Sequence, residues 1–159
     1  MNTSTVGARR LLGLGAIAAI GAASVNAAIY GIGRAAGLSF VASTTAAGPQ
    51  HILLQHVVSF TLMTFGVGLV AAVIADKIRR PNLRALQTVG AVVAVVSVVM
   101  DLSIDSTVAA KTTLALMHLV VGAAYVAALE IARTARAARR NDAATARANH
   151  AASVSRVAA

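Results

Sequence analysis

"VVMDLSIDSTVAAKTTLALMHLVV", residues 98–121, joins two apolar runs across a short polar gap. Asp101 and Asp105 close the first run, and His118 lies inside the second. The chain has five acidic residues in all, so two of them in one apolar stretch call for a physical reason. The uninterrupted part of the first run, Leu86 to Met100, spans about 22 Å as an α-helix. That is short of a hydrocarbon core of about 30 Å, so the helix must continue through Asp101 and toward Asp105. His118 lies about 10 Å along the next helix from Lys111. The gap therefore reads as an external turn between two antiparallel spanning helices, with Asp101 and His118 at similar depth.

Working outward, four apolar segments appear near 11–31, 53–75, 85–104 and 112–132. A chain that is 58% hydrophobic and 12% charged, with mean hydropathy +0.77, belongs with membrane proteins rather than soluble domains. Helices are the expected form, because an open sheet leaves backbone groups unsatisfied in lipid. This overrules the strand propensity of "VGAVVAVVSVV". The first segment, with a basic start and small residues at Val25-Asn26-Ala27, has the outline of a signal peptide. Its apolar run extends through "AIYGIG", so it reads as a retained helix. The expected fold is all-α: an integral membrane four-helix bundle, up-down-up-down, over 11–132, between a short N-terminus (1–10) and a tail (133–159). The segment 32–51 is expected to be an external loop with a turn at Gly48-Pro49.

The net charge of +9 would suggest nucleic acid in a soluble protein, but its distribution follows a membrane logic. Twelve of the fourteen basic residues fall at the N-terminus, in "DKIRRPNLR" and in the tail, leaving Arg34 and Lys111 opposite. By the positive-inside rule both termini are cytoplasmic. Arg79, Arg80, Arg84, Arg133, Arg136, Arg139 and Arg140 are the basic residues placed at the membrane surface, against anionic headgroups. The Ala/Arg-rich tail reads as a frayed extension of helix 4 on the headgroups, disordered or a membrane-surface helix; with no aromatic residue for stacking, nucleic acid is not an expected partner. Glu130 and Arg133 are set for a local pair.

Small and polar residues share one face on each helix, as membrane helices use for close approach. The stripes are Gly15, Ala19, Ala22 and Asn26; Gln55, Ser59 and Gly66 with His56 beside them; Gly90, Ala94, Ser97, Asp101 and Asp105; and Ala115, His118, Gly122 and Tyr125. The candidate cluster is Asn26, His56, Asp101, Asp105 and His118, in the outer half of the bundle. An ionised carboxylate there costs at least ~2.5–3.5 kcal/mol on insertion scales. An Asp101–His118 contact is therefore expected, with Asp105 and Lys111 as a looser pair. Such a cluster is either a polar clamp or a site for a ligand or a proton. The absence of cysteine removes thiolate sites and thiol nucleophiles. No HExxH, GxSxG or GxGxxG occurs, so no metal, cofactor or catalytic residue is assigned.

"VNAAIYGIGRAAGLSF" and "KTTLALMHLVVGAAYVAAL", above all LALMHLV at 114–120, resemble a family of small four-helix membrane proteins from actinobacteria catalogued as a domain of unknown function. The resemblance covers about 10–135 and implies four helices and a plasma-membrane location, without an activity. Members often lack acidic residues at the end of helix 3, which makes Asp101 and Asp105 particular to this chain. The expected role is non-enzymatic: a multi-pass component of a bacterial cytoplasmic membrane that binds a ligand, a protein partner or a second copy. The alternative is a proton-coupled or small-molecule transport element.

Overall fold

The computed structural model describes residues 3–44, 48–77 and 83–157. Four helices, α1 (Thr3–Ala35), α2 (Leu54–Lys77), α3 (Leu83–Ser103) and α4 (Val108–Val157), form an all-α bundle, with a small hairpin of β1 (Val41–Thr44) and β2 (Gly48–His51) between the first two. All four are long and apolar enough to cross a membrane. Their outward faces carry large apolar side chains, such as Ile17 at 71% and Met100 at 65% exposure. Water would not tolerate so extensive an apolar surface. Hydroxyls on these helices bond their own backbone: Ser97 to Val93 O (2.9 Å), Ser103 to Val99 O (2.8 Å) and Thr113 to Ala109 O (2.7 Å). That satisfies them where lipid offers no partner. The protein is a multi-pass four-helix membrane protein.

The helix ends follow local chemistry. Gly37 takes φ +81°, and α1 stops in a Schellman motif, with Leu38 N donating to Gly33 O (2.9 Å) and Gly37 N to Arg34 O (3.0 Å). Thr107 caps α4 through Oγ1, which accepts from Ala110 N at 3.2 Å. His56 reaches back from the first turn of α2, its Nδ1 accepting from Leu53 N at 3.2 Å, half of a capping box.

Two apolar clusters bracket the bundle. Tyr30, Phe40, Val57, Ala110, Leu114 and Met117 pack at the hairpin end; Leu11, Ala72, Leu83, Leu129 and Ala132 pack at the other. The helix α1 lies along α2 and α4, and α4 along α1 and α3, whereas the consecutive helices α2 and α3 barely meet. Tyr125 of α4 stands in that seam. A Cβ at Gly68 would come within 2.7 Å of its ring and one at Gly90 within 2.5 Å, so only glycine fits at either position. The Tyr125 hydroxyl donates to Gly68 O at 3.2 Å, and the ring meets Phe65 edge-on.

Several expectations are corrected. The segment 32–51 is not a plain loop: α1 runs to Ala35, and Gly48-Pro49 opens β2, paired with Thr44 and Ser43, instead of forming a turn. The helices also differ in extent from 11–31, 53–75, 85–104 and 112–132. Over the tail α4 continues as helix to Val157. The face assigned to α2 is turned: Gln55, Ser59 and Gly66 are exposed, and Val57, Thr61, Phe65 and Ala72 are buried instead.

Candidate functional site

Between the two apolar clusters the packing becomes polar. Asn26 of α1 is 1% exposed, and its Nδ2 donates to Thr61 Oγ1 of α2 (3.1 Å) and to Met117 O of α4 (3.3 Å). One side chain thus ties three helices at one level. The Met117 carbonyl can only accept, so the amide orientation is fixed and Oδ1 faces away. That oxygen is buried and has no hydrogen-bond partner among the described residues. A buried acceptor left unpaired costs on the order of 1–3 kcal/mol.

Next to Met117 along α4, His118 meets Asp101 of α3, Oδ2 lying 2.6 Å from Nδ1. The same Nδ1 also lies 3.2 Å from Leu114 O, so the carboxylate and the carbonyl share one ring nitrogen. The Asp101 side chain is 15% exposed and that of His118 is 45% exposed, so His118 forms the edge of the pair.

Asn26, Thr61, Asp101 and His118 line a cavity of about 570 Å³, and His56 joins them. Val57, Phe60, Leu114 and Met117 give it an apolar wall, and Ala42 and His51 of the hairpin line its rim. The hairpin is held there from two directions. Phe40 stacks on Tyr30 at 4.8 Å between centroids, while Tyr30 Oη donates to Ile52 O (3.0 Å). Ser43 N donates to Asp105 O at 3.2 Å, fastening β1 to the α3–α4 turn.

Four members of the expected cluster, Asn26, His56, Asp101 and His118, therefore share one cavity, and Asp105 does not. The expected Asp105–Lys111 pair is absent: Lys111 Nζ donates to Leu102 O at 3.4 Å, and Asp105 is exposed and makes no ion pair among the described residues. Thr61 was missed because a threonine in an apolar helix looks no different from its neighbour Thr64. The apolar groove in the α2/α3 seam, about 420 Å³, was likewise unexpected; His118, Thr64 and Val121 border both spaces.

At the opposite end Glu130 is bonded by Arg133 Nε (2.8 Å) and by Gln87 Nε2 of α3 (3.0 Å), a cross-helix partner beyond the expected local pair. Arg84, Arg139 and Arg140 are exposed and Arg133 and Arg136 partly so, whereas Arg79 and Arg80 lie outside the described residues. Among the described residues no group of three or more His, Asp or Glu is placed to hold a metal ion.

A family model described as a family of unknown function, DUF6069, matches residues 6–137. The chain belongs to DUF6069. All the cavity residues lie inside the DUF6069 match, and Arg139, Arg140 and Arg147 lie beyond it. No curated protein and no solved structure matches the chain.

Proposed function

We propose that this DUF6069 member is a non-enzymatic component of a bacterial cytoplasmic membrane that binds a small ligand in the cavity beneath its hairpin. The observation that carries the reading is Asn26, 1% exposed, lining a cavity of about 570 Å³ with an unpaired Oδ1. Spaces of this size, mostly apolar with a few convergent polar groups, are the usual form of ligand pockets. The topology is up-down-up-down, with both termini cytoplasmic and the hairpin outside. Supporting this, Leu11, Ala72, Leu83 and Leu129 meet at one end, the end that carries most of the Lys and Arg. That α1 supplies Asn26 to the cavity supports its being a retained helix rather than a cleaved leader. The unburied Val face of α3 suits lipid, a protein partner or a second copy, and the basic stretches suit anionic headgroups.

The test is thermal unfolding of the full chain in lipid nanodiscs against a chemically diverse set of small molecules. At least one compound is expected to raise the midpoint of the wild type but not of Ala42→Phe, which adds bulk to the cavity wall and not to the α2/α3 groove. A set without effect, or shifts that persist in Ala42→Phe, would contradict the reading. Proton-coupled or small-molecule transport through Asp101, His118 and His56 is the second reading, favoured by His118 bordering both the cavity and the seam. It requires flux in proteoliposomes that Asp101→Asn abolishes. The engagement of His56 Nδ1 in capping α2 weighs against a relay role for that ring.

A further inference from the structure

Resting on the ligand-binding reading above, we propose that the ligand is a single-chain amphiphile with an uncharged hydroxyl head. Its head sits under the hairpin, and its chain runs inward along the groove of the α2/α3 seam. The inference comes from how the two spaces are laid out along the helices. On α2 the cavity is lined from His56 to Thr64 and the groove from Met63 to Ala71. On α3 the groove is lined from Leu86 to Ser97 and the cavity at Asp101 and Ile104. On α4 the cavity is lined from Leu114 to Val121 and the groove from His118 to Tyr125. The order from cavity to groove agrees on all three helices, and Thr64, His118 and Val121 belong to both. The two spaces therefore lie end to end between the same helices, with the polar groups toward the hairpin.

Dimensions select the tail. The groove follows α2 for about 12 Å and α3 for about 16 Å, near half of a hydrocarbon core. Over that length its volume of about 420 Å³ leaves a cross-section of about 30 Å². A helix about 10 Å wide needs roughly 80 Å², so one extended hydrocarbon chain fits the groove and a further helix does not. Its walls ask for no polar partner: Tyr125 Oη donates to Gly68 O (3.2 Å) and Ser97 Oγ to Val93 O (2.9 Å). The cavity selects the head. Asp101 already faces His118 Nδ1 at 2.6 Å, and no Lys or Arg lines the cavity among the described residues. A phosphate head would thus be desolvated without a fixed cation. Gln50, Thr61 and Thr64 carry groups that both donate and accept, and a neutral His51 has one ring nitrogen of each kind. His56 accepts from Leu53 N through Nδ1, which leaves its proton on Nε2 as a donor. A hydroxyl, donor and acceptor at once, answers so mixed a lining.

The experiment is photo-crosslinking of the full chain in phosphatidylcholine nanodiscs, with labelled residues located by mass spectrometry. The probe is 1-hexadecanol carrying a mid-chain diazirine. Labelling is expected at groove residues such as Gly68, Val93 and Tyr125, rather than at outward ones such as Ile17 and Met100. Unlabelled 1-hexadecanol is expected to displace the probe at a mole fraction about tenfold lower than hexadecane, without the head, or 1-hexanol, without the length. Ala71→Phe narrows the groove alone and Ala42→Phe the cavity alone, and each is expected to cut groove labelling about tenfold. Unfolding midpoints check both variants, and Val93→Phe replaces Ala71→Phe if the latter does not fold. Equal displacement by hexadecane, or labelling indifferent to Ala42→Phe, overturns the proposal and reduces the groove to a place for bulk lipid chains. Labelling indifferent to the groove variants, or spread evenly over the outward faces, overturns it as well. Equal or stronger groove labelling by a phosphatidylcholine with the same diazirine chain replaces the single-chain amphiphile by a membrane lipid. The ligand-binding reading is judged separately by the thermal screen: a compound whose shift is lost in Ala42→Phe and kept in Ala71→Phe leaves a cavity ligand without a tail in the groove.

Discussion

Asp101 and His118 approach to 2.6 Å, yet the energetics of the pair do not favour a purely structural role. Asp101 stands two residues before the end of α3, where an aspartate costs less than the roughly 2.5–3.5 kcal/mol of a helix centre but still opposes insertion. Side-chain hydrogen bonds inside membranes return about 0.6 kcal/mol on average. A double-mutant cycle of Asp101→Asn and His118→Leu, by thermal unfolding in nanodiscs, is expected to give a coupling of about 1 kcal/mol or less. Asp101→Asn alone is expected to be neutral or stabilising. Coupling above about 2 kcal/mol with both single variants destabilised would make the pair a clamp. These two residues were legible in the sequence because titratable groups stand out in apolar runs. Thr61 and the cross-helix partner Gln87 were not, since Thr and Gln at helical spacing carry no such contrast. In lipid the outer face of a helix is as apolar as the inner one, so periodicity does not reveal which side faces inward. This is why Gln55, Ser59 and Gly66 were placed on the wrong face of α2.

Among the elements, spans were easier to read than their ends or their packing. Four apolar runs of spanning length predict four helices, whereas "GPQH" has neither alternation nor β-branched residues to announce β2. That strand exists because Phe40, Tyr30 and Asp105 hold the hairpin in place, contacts distant in sequence. The helix α4 runs on past its apolar span into the Ala/Arg-rich tail: its 50 residues span about 75 Å, more than twice a hydrocarbon core. The α2/α3 seam depends on one bulky side chain against two glycines. Gly90→Ala would set a methyl 2.5 Å from Tyr125 Cδ1, with Gly68 closing the other side of the ring. Overpacking of this kind is expected to destabilise by about 1–3 kcal/mol. Thermal unfolding of Gly90→Ala and of Gly90→Ala/Tyr125→Leu checks it: the second change is expected to recover most of the loss.

At the scale of the molecule, the order of packing matters more than the number of helices. Because α4 touches both α1 and α3 while α2 and α3 separate, the bundle is open along one seam, and a mostly apolar cavity with a few polar groups lies against the hairpin-end cluster. The location of that cavity near the hairpin gives it access to one side of the membrane. The distribution of Lys and Arg assigns that side to the exterior in our account. The chain contains no cysteine, so single cysteines report position without background. The most direct measurement is labelling of His51→Cys, at the rim of the cavity, and Ala137→Cys, on the exposed part of α4, with a membrane-impermeant maleimide in a bacterial host. The account predicts that position 51 reacts in intact cells and position 137 only after lysis. Labelling of position 137 in intact cells, with position 51 protected, would contradict it.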